Sequence, residues 1–377
     1  MALIAKTTED RQQATAKLGA IIEAGRSKAA QGLEAMQKEF HMRKDLRVKP
    51  AAIDVEIVKG KDGFTWKPII VDKKSGTRVA FSTTTHARGQ FLSRAGIPSM
   101  FVDTLVQHGE ADLLRENILK LLPHESADGL LVRTVGDTAK AFLSPAYKCL
   151  DNALFFDTFV EQALKSKLVP YRGDVSDTRG FLSFLRPEIV EITPGEFVVP
   201  GVEMRGSDYG NGAQELNAMF LRLVCLNGAT GYDMFRKIHI GRRFNASEYG
   251  DDNVIHLSQK TIELDVSTVR SALSDAMKGV TKHLDALTES LREAATKEIN
   301  VDMTVAVLKK KGLKAASLAK VKALYENEAL PVEALPPAQG AWRLSNALSL
   351  LANSVPDADE AADLRDAAFA VLPMAKA

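Results

Sequence analysis

Five basic side chains, Arg236, Lys237, His239, Arg242 and Arg243, close the stretch FLRLVCLNGATGYDMFRKIHIGRRF, with no acid after Asp233. Cations in such a run suit phosphate oxygens, because each Lys or Arg that neutralises a nucleic-acid backbone releases counterions. In an extended chain Lys237, His239 and Arg243 share one face, and Ile238 and Ile240 the other. The run therefore reads either as a phosphate-contacting strand or as a solvated edge strand guarded by charge. Upstream, Arg172, Arg179 and Arg186 interleave with Tyr171, Phe181 and Phe184, the pairing of cations with stacking rings that single-strand binding uses. Phe181 and Phe184 have opposite strand parity, so at least one is expected in the core. The expected nucleic-acid contacts are Arg172, Arg179, Arg186, Arg236, Lys237, Arg242, Arg243 and Tyr171.

Other chemistry finds less footing. Neither the phosphate-loop pattern nor a G-x-G-x-x-G between strand and helix occurs. GSDYGNG at 206–212 reads as a turn into a helix, and NGATG at 227–231 as a helix stop. The histidines are scattered, with no H-E-x-x-H or C-x-x-C, so no metal or other cofactor is expected. An enzyme assembled from Tyr147, Asp151, Asn152 and Asn227 is weighed against Asp and Asn capping helix ends. Arg222 reads as structural, held by an acid such as Glu215 or by a helix-end carbonyl. The lysines of KKKGLK read as a solvated helix end.

These residues need elements to place them. Apolar residues at helical steps predict a helix over 8–40, whose stripe of Leu18, Ile22, Ala29, Leu33, Met36 and Phe40 either docks on the next domain or packs against another subunit. DVEIVKG and KDGFTWKPIIVDKKSGTRVAFST alternate around two Gly turns and predict a strand meander. Helices broken at Gly96 and Pro98 and stopped at Pro123 follow. GLLVRTV is a predicted strand, and DNALFFDTFVEQALKS a helix. LVPYRGDVSD, RGFLSFLRPEIVEI and EFVVPGVEMRGSD predict a three-stranded antiparallel meander. NGAQELNAMFLRLVCL, with Leu216, Met219, Phe220, Leu223 and Val224 at helical spacing, predicts a helix ended by Asn227-Gly228. The remainder is helical, joined by the Pro-rich PVEALPPAQG. The expected fold is α+β: an antiparallel meander packed with helices, with an N-terminal helical arm (1–50), a core (51–257) and a C-terminal helical region (258–377).

The formal net charge of +1 means that any attraction to an anionic polymer must come from charge distribution. Cys149 and Cys225 lie in apolar stretches and read as reduced, buried thiols. The short apolar start lacks a signal-peptide pattern, and no apolar run nears the ~20 residues of a membrane span. A cytoplasmic protein is expected, in a bacterial host if the resemblance below holds.

LSPAYKCLDN (Leu143, Ser144, Tyr147, Asp151, Asn152), RLVCLNG (Arg222, Leu223, Val224, Cys225, Asn227, Gly228) and WRLSNA (Trp342, Asn346, Ala347) stand in this order. The set resembles a phage- and plasmid-encoded family of unknown function, which implies a mobile-element origin. The meander is also similar in topology to that of ring-forming single-strand annealing proteins of phage recombination. That resemblance implies a homo-oligomer that binds and anneals single-stranded DNA in recombination or replication. A protein-binding module acting on a host factor is the alternative.

Overall fold

Alternating apolar residues in the first two thirds of the chain and helical apolar spacing at both ends resolve into an α+β fold. The computed structural model describes residues 2–60, 63–71, 76–145, 147, 152–223, 227–237, 259–331, 334–336 and 340–374. In chain order, α1 (Ala2–Met42) leads into β1 (Arg43–Val48), β2 (Ile53–Gly60), β3 (Gly63–Val71), β4 (Arg78–Ala80) and β5 (Ser82–Thr83). Next come α2 (Thr85–Arg94), α3 (Ser99–His108), α4 (Ala111–Glu125), β6 (Leu130–Val135), β7 (Thr138–Leu143) and α5 (Asn152–Lys165). The central strands are β8 (Val169–Val175), β9 (Gly180–Leu185), β10 (Val190–Thr193), β11 (Glu196–Gly206), β12 (Gln214–Arg222) and β13 (Asn227–Lys237). The closing helices are α6 (Gln259–Lys278), α7 (Val280–Ala295), α8 (Val301–Lys310), α9 (Ala315–Glu326), α10 (Ala341–Ser354) and α11 (Ala358–Ala370).

The strands form three sheets: β2-β3-β4, β1-β6-β7-β5, and a six-stranded sheet in the order β13-β12-β11-β9-β8 with β10 on β11. All pairs are antiparallel except β5 with β7. The first two sheets share a core with α2, α3 and α4. The six-stranded sheet packs Leu182, Phe184, Val202, Met204, Leu216 and Ala218 against α5, α6 and α7. Its other face packs Leu185, Val199, Met219 and Leu221 with Ala14 and Leu18 of α1. The helices α8, α9, α10 and α11 enclose a core of their own around Leu318, Leu344, Leu348 and Leu364.

The segment read as a helix from Asn211 is instead β12. Leu216, Ala218 and Phe220 point to one side of the sheet and Met219, Leu221 and Leu223 to the other, and both sides are covered. Burial on both faces removes the polar half of a strand's alternation, and the resulting apolar run also matches helical spacing. Asn227-Gly228 accordingly opens β13 rather than ending a helix. RGFLSFLRPEIVEI divides into β9 and β10, with Pro187 between them, and Pro123 lies inside the last turn of α4 rather than stopping it.

The N-terminal helix and the strand that follows it pack against the rest of the chain. β1 pairs with β6 along its whole length, and α1 lies along β8, the edge of the large sheet. Small residues permit this contact: a Cβ on Gly25 would stand 2.6 Å from the Tyr171 carbonyl oxygen, and one on Gly32 would stand 2.4 Å from the Gly173 carbonyl carbon. The stripe that left self-association open is thus buried within the chain, with Ala14, Leu18, Ala29 and Met36 in its cores. No helix among the described residues is long and apolar enough to cross a membrane.

Candidate nucleic-acid interface

Opposed residues of neighbouring strands share a face, so Arg172, Ser183, Glu203 and Asn217 form one row across β8, β9, β11 and β12. Arg205, opposite Glu215, lies two residues along from Glu203 on that face. Arg179 closes the β8–β9 turn beside it. Arg186 does not join them, because it reaches Asp285 of α7 at 2.5 Å and Glu188 at 3.0 Å. The structure therefore brings together Arg172 and Arg179 of the predicted set, adds Arg205, and separates Arg186.

Each of these guanidiniums already meets acids. Arg172 holds Asp174 at 2.6 Å. The Arg179 Nε donates to the Asn211 carbonyl at 2.7 Å, and its guanidinium lies 4.0 Å from Asp359 and 3.9 Å from Asp363. Arg205 donates to Glu215 at 2.7 Å and to Asp366 at 2.8 Å. Three of these carboxylates belong to α11. Asp359 also accepts from the hydroxyls of Ser176, at 3.2 Å, and Thr178. Arg365, on the same helix, faces the same cluster: burial lowers its pKa, and repulsion from Arg172 lowers it further.

The charge balance around Arg205 is over-acidic. Burial pushes the Asp366 carboxyl up to about 6 despite its ion pair, and Glu203 and Glu215 add to the rise. Burial opposes the Arg205 charge, but Asp366, Glu215 and Glu203 outweigh it and raise its pKa.

Two of the three rings on the meander are internal, and Tyr171 is half-buried. Phe181 and Phe184 are both buried, and Phe184 packs edge-on to Phe159 with ring centroids 5.3 Å apart. Tyr171 sits against the apolar cluster of α1 and the sheet, and burial pushes its phenol up. Interleaved aromatic and basic residues here reflect a two-faced strand lying under a helix.

The basic run is placed in part. β13 ends the sheet's strand order, with Arg236 opposite Glu215 and Lys237 opposite Gln214. Ile238, His239, Ile240, Arg242 and Arg243 lie outside the described residues, as do Cys149, Asp151 and Cys225. The enzyme constellation is not assembled. Asn152 bonds Gln214 at the start of β12, whereas Asn227 pairs with Arg222 at its end. Eight strand residues separate those points by roughly 27 Å.

Sequence reasoning missed the polar clasp around the β11–β12 connection. Gly210 and Gly212 turn it with φ of +77° and +114°. Asp208 accepts from Arg43 at 2.9 Å and from the Asn152 amide at 2.8 Å, capping α5 from a distant segment. Buried Arg133 donates to the Asp208 carbonyl at 2.8 Å and grips Asp45 with both Nε, at 2.7 Å, and Nη2, at 2.9 Å. His86 and Gln90 reach the Tyr209 carbonyl, while the Tyr209 hydroxyl donates to Glu39 at 2.7 Å. Asn152 belongs to the segment that carries the LSPAYKCLDN pattern, so that part of the pattern serves to fasten this turn. Arg222 is structural as expected, but its acid is Glu196, gripped at 2.6 and 2.5 Å, while Glu215 serves Arg205.

No protein family, curated protein or solved structure matches the chain.

Proposed function

We propose that the chain binds nucleic acid, single-stranded DNA foremost, and assists annealing in recombination or replication of a mobile element. The observation that supports this reading is the presence of Arg172, Arg179 and Arg205 on one side of the large sheet, in a chain of net charge +1. Phosphate oxygens are the natural competitors of the carboxylates that now hold those guanidiniums. With Phe181 and Phe184 internal, contacts go chiefly to the backbone, so binding is largely sequence-independent and steeply salt-dependent. Assembly as a homo-oligomer in a bacterial cytoplasm belongs to the same reading through the annealing resemblance, although the stripe of α1 no longer argues for it.

Fluorescence anisotropy of labelled single-stranded and duplex oligonucleotides at 50 and 200 mM salt tests the reading. Micromolar or tighter binding of the single strand at low salt is expected, and no binding of either form would reject it. Replacing Lys237 and Arg243 with Ala should reduce the single-strand log-log salt slope by about 1.4, since each lost contact removes roughly 0.7. An unaltered affinity and slope would leave the run as a solvated edge.

A second reading, a module that docks on a host protein, is favoured by Met100 and Phe101 on α3 and Leu113 and Leu121 on α4, all large apolar side chains left exposed. Met100→Ser with Phe101→Ser would leave oligonucleotide binding intact under the first reading.

A further inference from the structure

The carboxylates of α11 occur at positions 359, 363 and 366, one helix face, and all three meet the arginine-bearing side of the large sheet. At 1.5 Å of rise per residue, successive acids stand roughly 6 and 4.5 Å apart along the axis, so the helix presents a short ladder of negative charge. The opposite face of α11 is apolar: Ala361, Leu364 and Ala368 pack in the core enclosed by α8, α9 and α10. The acids of α11 reach the sheet through hydroxyls and ion pairs, two of them, at 4.0 and 3.9 Å from Arg179, at the limit of contact, while the helix also runs beside β13 at the end of the sheet. Asp363 remains 63% exposed there. Apolar attachment lies at the other end, where Phe369 stacks on Phe220 with ring centroids 6.0 Å apart and Trp342 packs beside it.

We infer that α11 is a resident stand-in for the ligand: its carboxylates occupy the Arg179 and Arg205 sites of a polyanion-binding surface, and a nucleic-acid backbone displaces them. This rests on the nucleic-acid reading and adds to it a self-limiting device. The exchange is charge-matched. Phosphates take the guanidiniums, and Asp359 and Asp363 pass to water, where carboxylates are well solvated. The Phe220–Phe369 contact stays, so the polar end of α11 opens while the aromatic end holds.

The test compares the full chain with an Asp359→Asn, Asp363→Asn variant, which removes charge while leaving the Asp357 cap and the helix's apolar face intact. A labelled single-stranded oligonucleotide is titrated from 50 mM to 1 M salt. With Arg179 released in advance, the variant should bind the single strand more tightly than the parent at low salt, while Arg205 keeps Asp366 and Glu215 until phosphates displace them. Adding Arg179→Gln to the variant should abolish that gain and flatten the log-log slope by roughly 0.7, the value of one lost contact. Hydrogen exchange on the unmutated chain supplies a readout independent of any variant's folding: amides of residues 359–366 should lose protection on adding oligonucleotide, while those of α10 keep theirs. If the unmutated chain binds but α11 stays protected and the variant binds no more tightly, the displacement is wrong and nucleic-acid binding stands. If neither chain binds at 50 mM salt, the nucleic-acid reading itself fails and the inference falls with it.

Discussion

Arg222 offers the sharpest test of how the large sheet is held. Its side chain is 1% exposed and grips Glu196, itself 11% exposed, through Nε and Nη2, with Nη1 reaching the Ala334 carbonyl at 3.4 Å. Two charges removed from water are tolerated only as a pair. Arg222→Ala leaves the Glu196 carboxylate in a site that excludes water, and breaking a buried pair in this way costs about 3–5 kcal/mol. With a urea m-value on the order of 2–3 kcal/mol/M, the midpoint of the sheet's unfolding should fall by about 1–2 M, m itself being unchanged. Arg222→Met combined with Glu196→Leu removes both charges and keeps the volume, so most of the loss should return. Urea titration followed by circular dichroism measures all three chains. A single mutant within about 0.3 M of the parent, or a double mutant as unstable as the single, would refute the argument that the pair's cost lies in stranding one charge.

Gly32→Val should loosen α1 from β8, because its Cβ alone would stand 2.5 Å from the Gly173 Cα, and overpacking of this kind costs about 1–3 kcal/mol. Gly19→Ala is the control: nothing lies within 4 Å of its added Cβ, so the helix should gain up to about 1 kcal/mol. Thermal melting separates the two, and equal effects would deny the close approach. Asp366 makes stability depend on pH. Its folded pKa, about 6, lies above its ordinary 3.8, so its contribution is present at low pH and is lost as pH rises through 6. Asp366→Asn should flatten the stability profile between pH 4 and 7, and an identical profile in mutant and parent would show that the group does not titrate in this range.

What could be read from the sequence follows burial. Where one face of an element meets water, as in α1, α5 and the β2-β3-β4 meander, periodicity placed the element within a few residues. Where both faces are covered, as in β12, a strand took on the spacing of a helix. Arg172 and Arg179 were legible as cations of the meander, in a trio with Arg186 that the structure divides. Their acids on α11 were not, because no local pattern links a turn to a helix near the far end of the chain. The role of Asn152 was hidden for the same reason: its partners, Gly206, Asp208 and Gln214, come from another sheet's connection. Arg222 stood out as a lone cation among apolar residues, but only strand register could decide between Glu196 and Glu215.

The seating of α1 on β8 also sets an order of events during synthesis. The helix is complete at Met42, yet the strand that covers it ends at Val175, so roughly 130 residues must be translated in between. At about 5–20 residues per second this takes on the order of 7 to 27 seconds. For that interval Leu18, Ala29 and Met36 have no seat, and neither do the glycines shaped to receive the strand. The nascent chain therefore carries a long, apolar-striped helix in search of a partner while it is still on the ribosome, and crowding on a polysome would bring other copies of that helix closer than its own unmade strand.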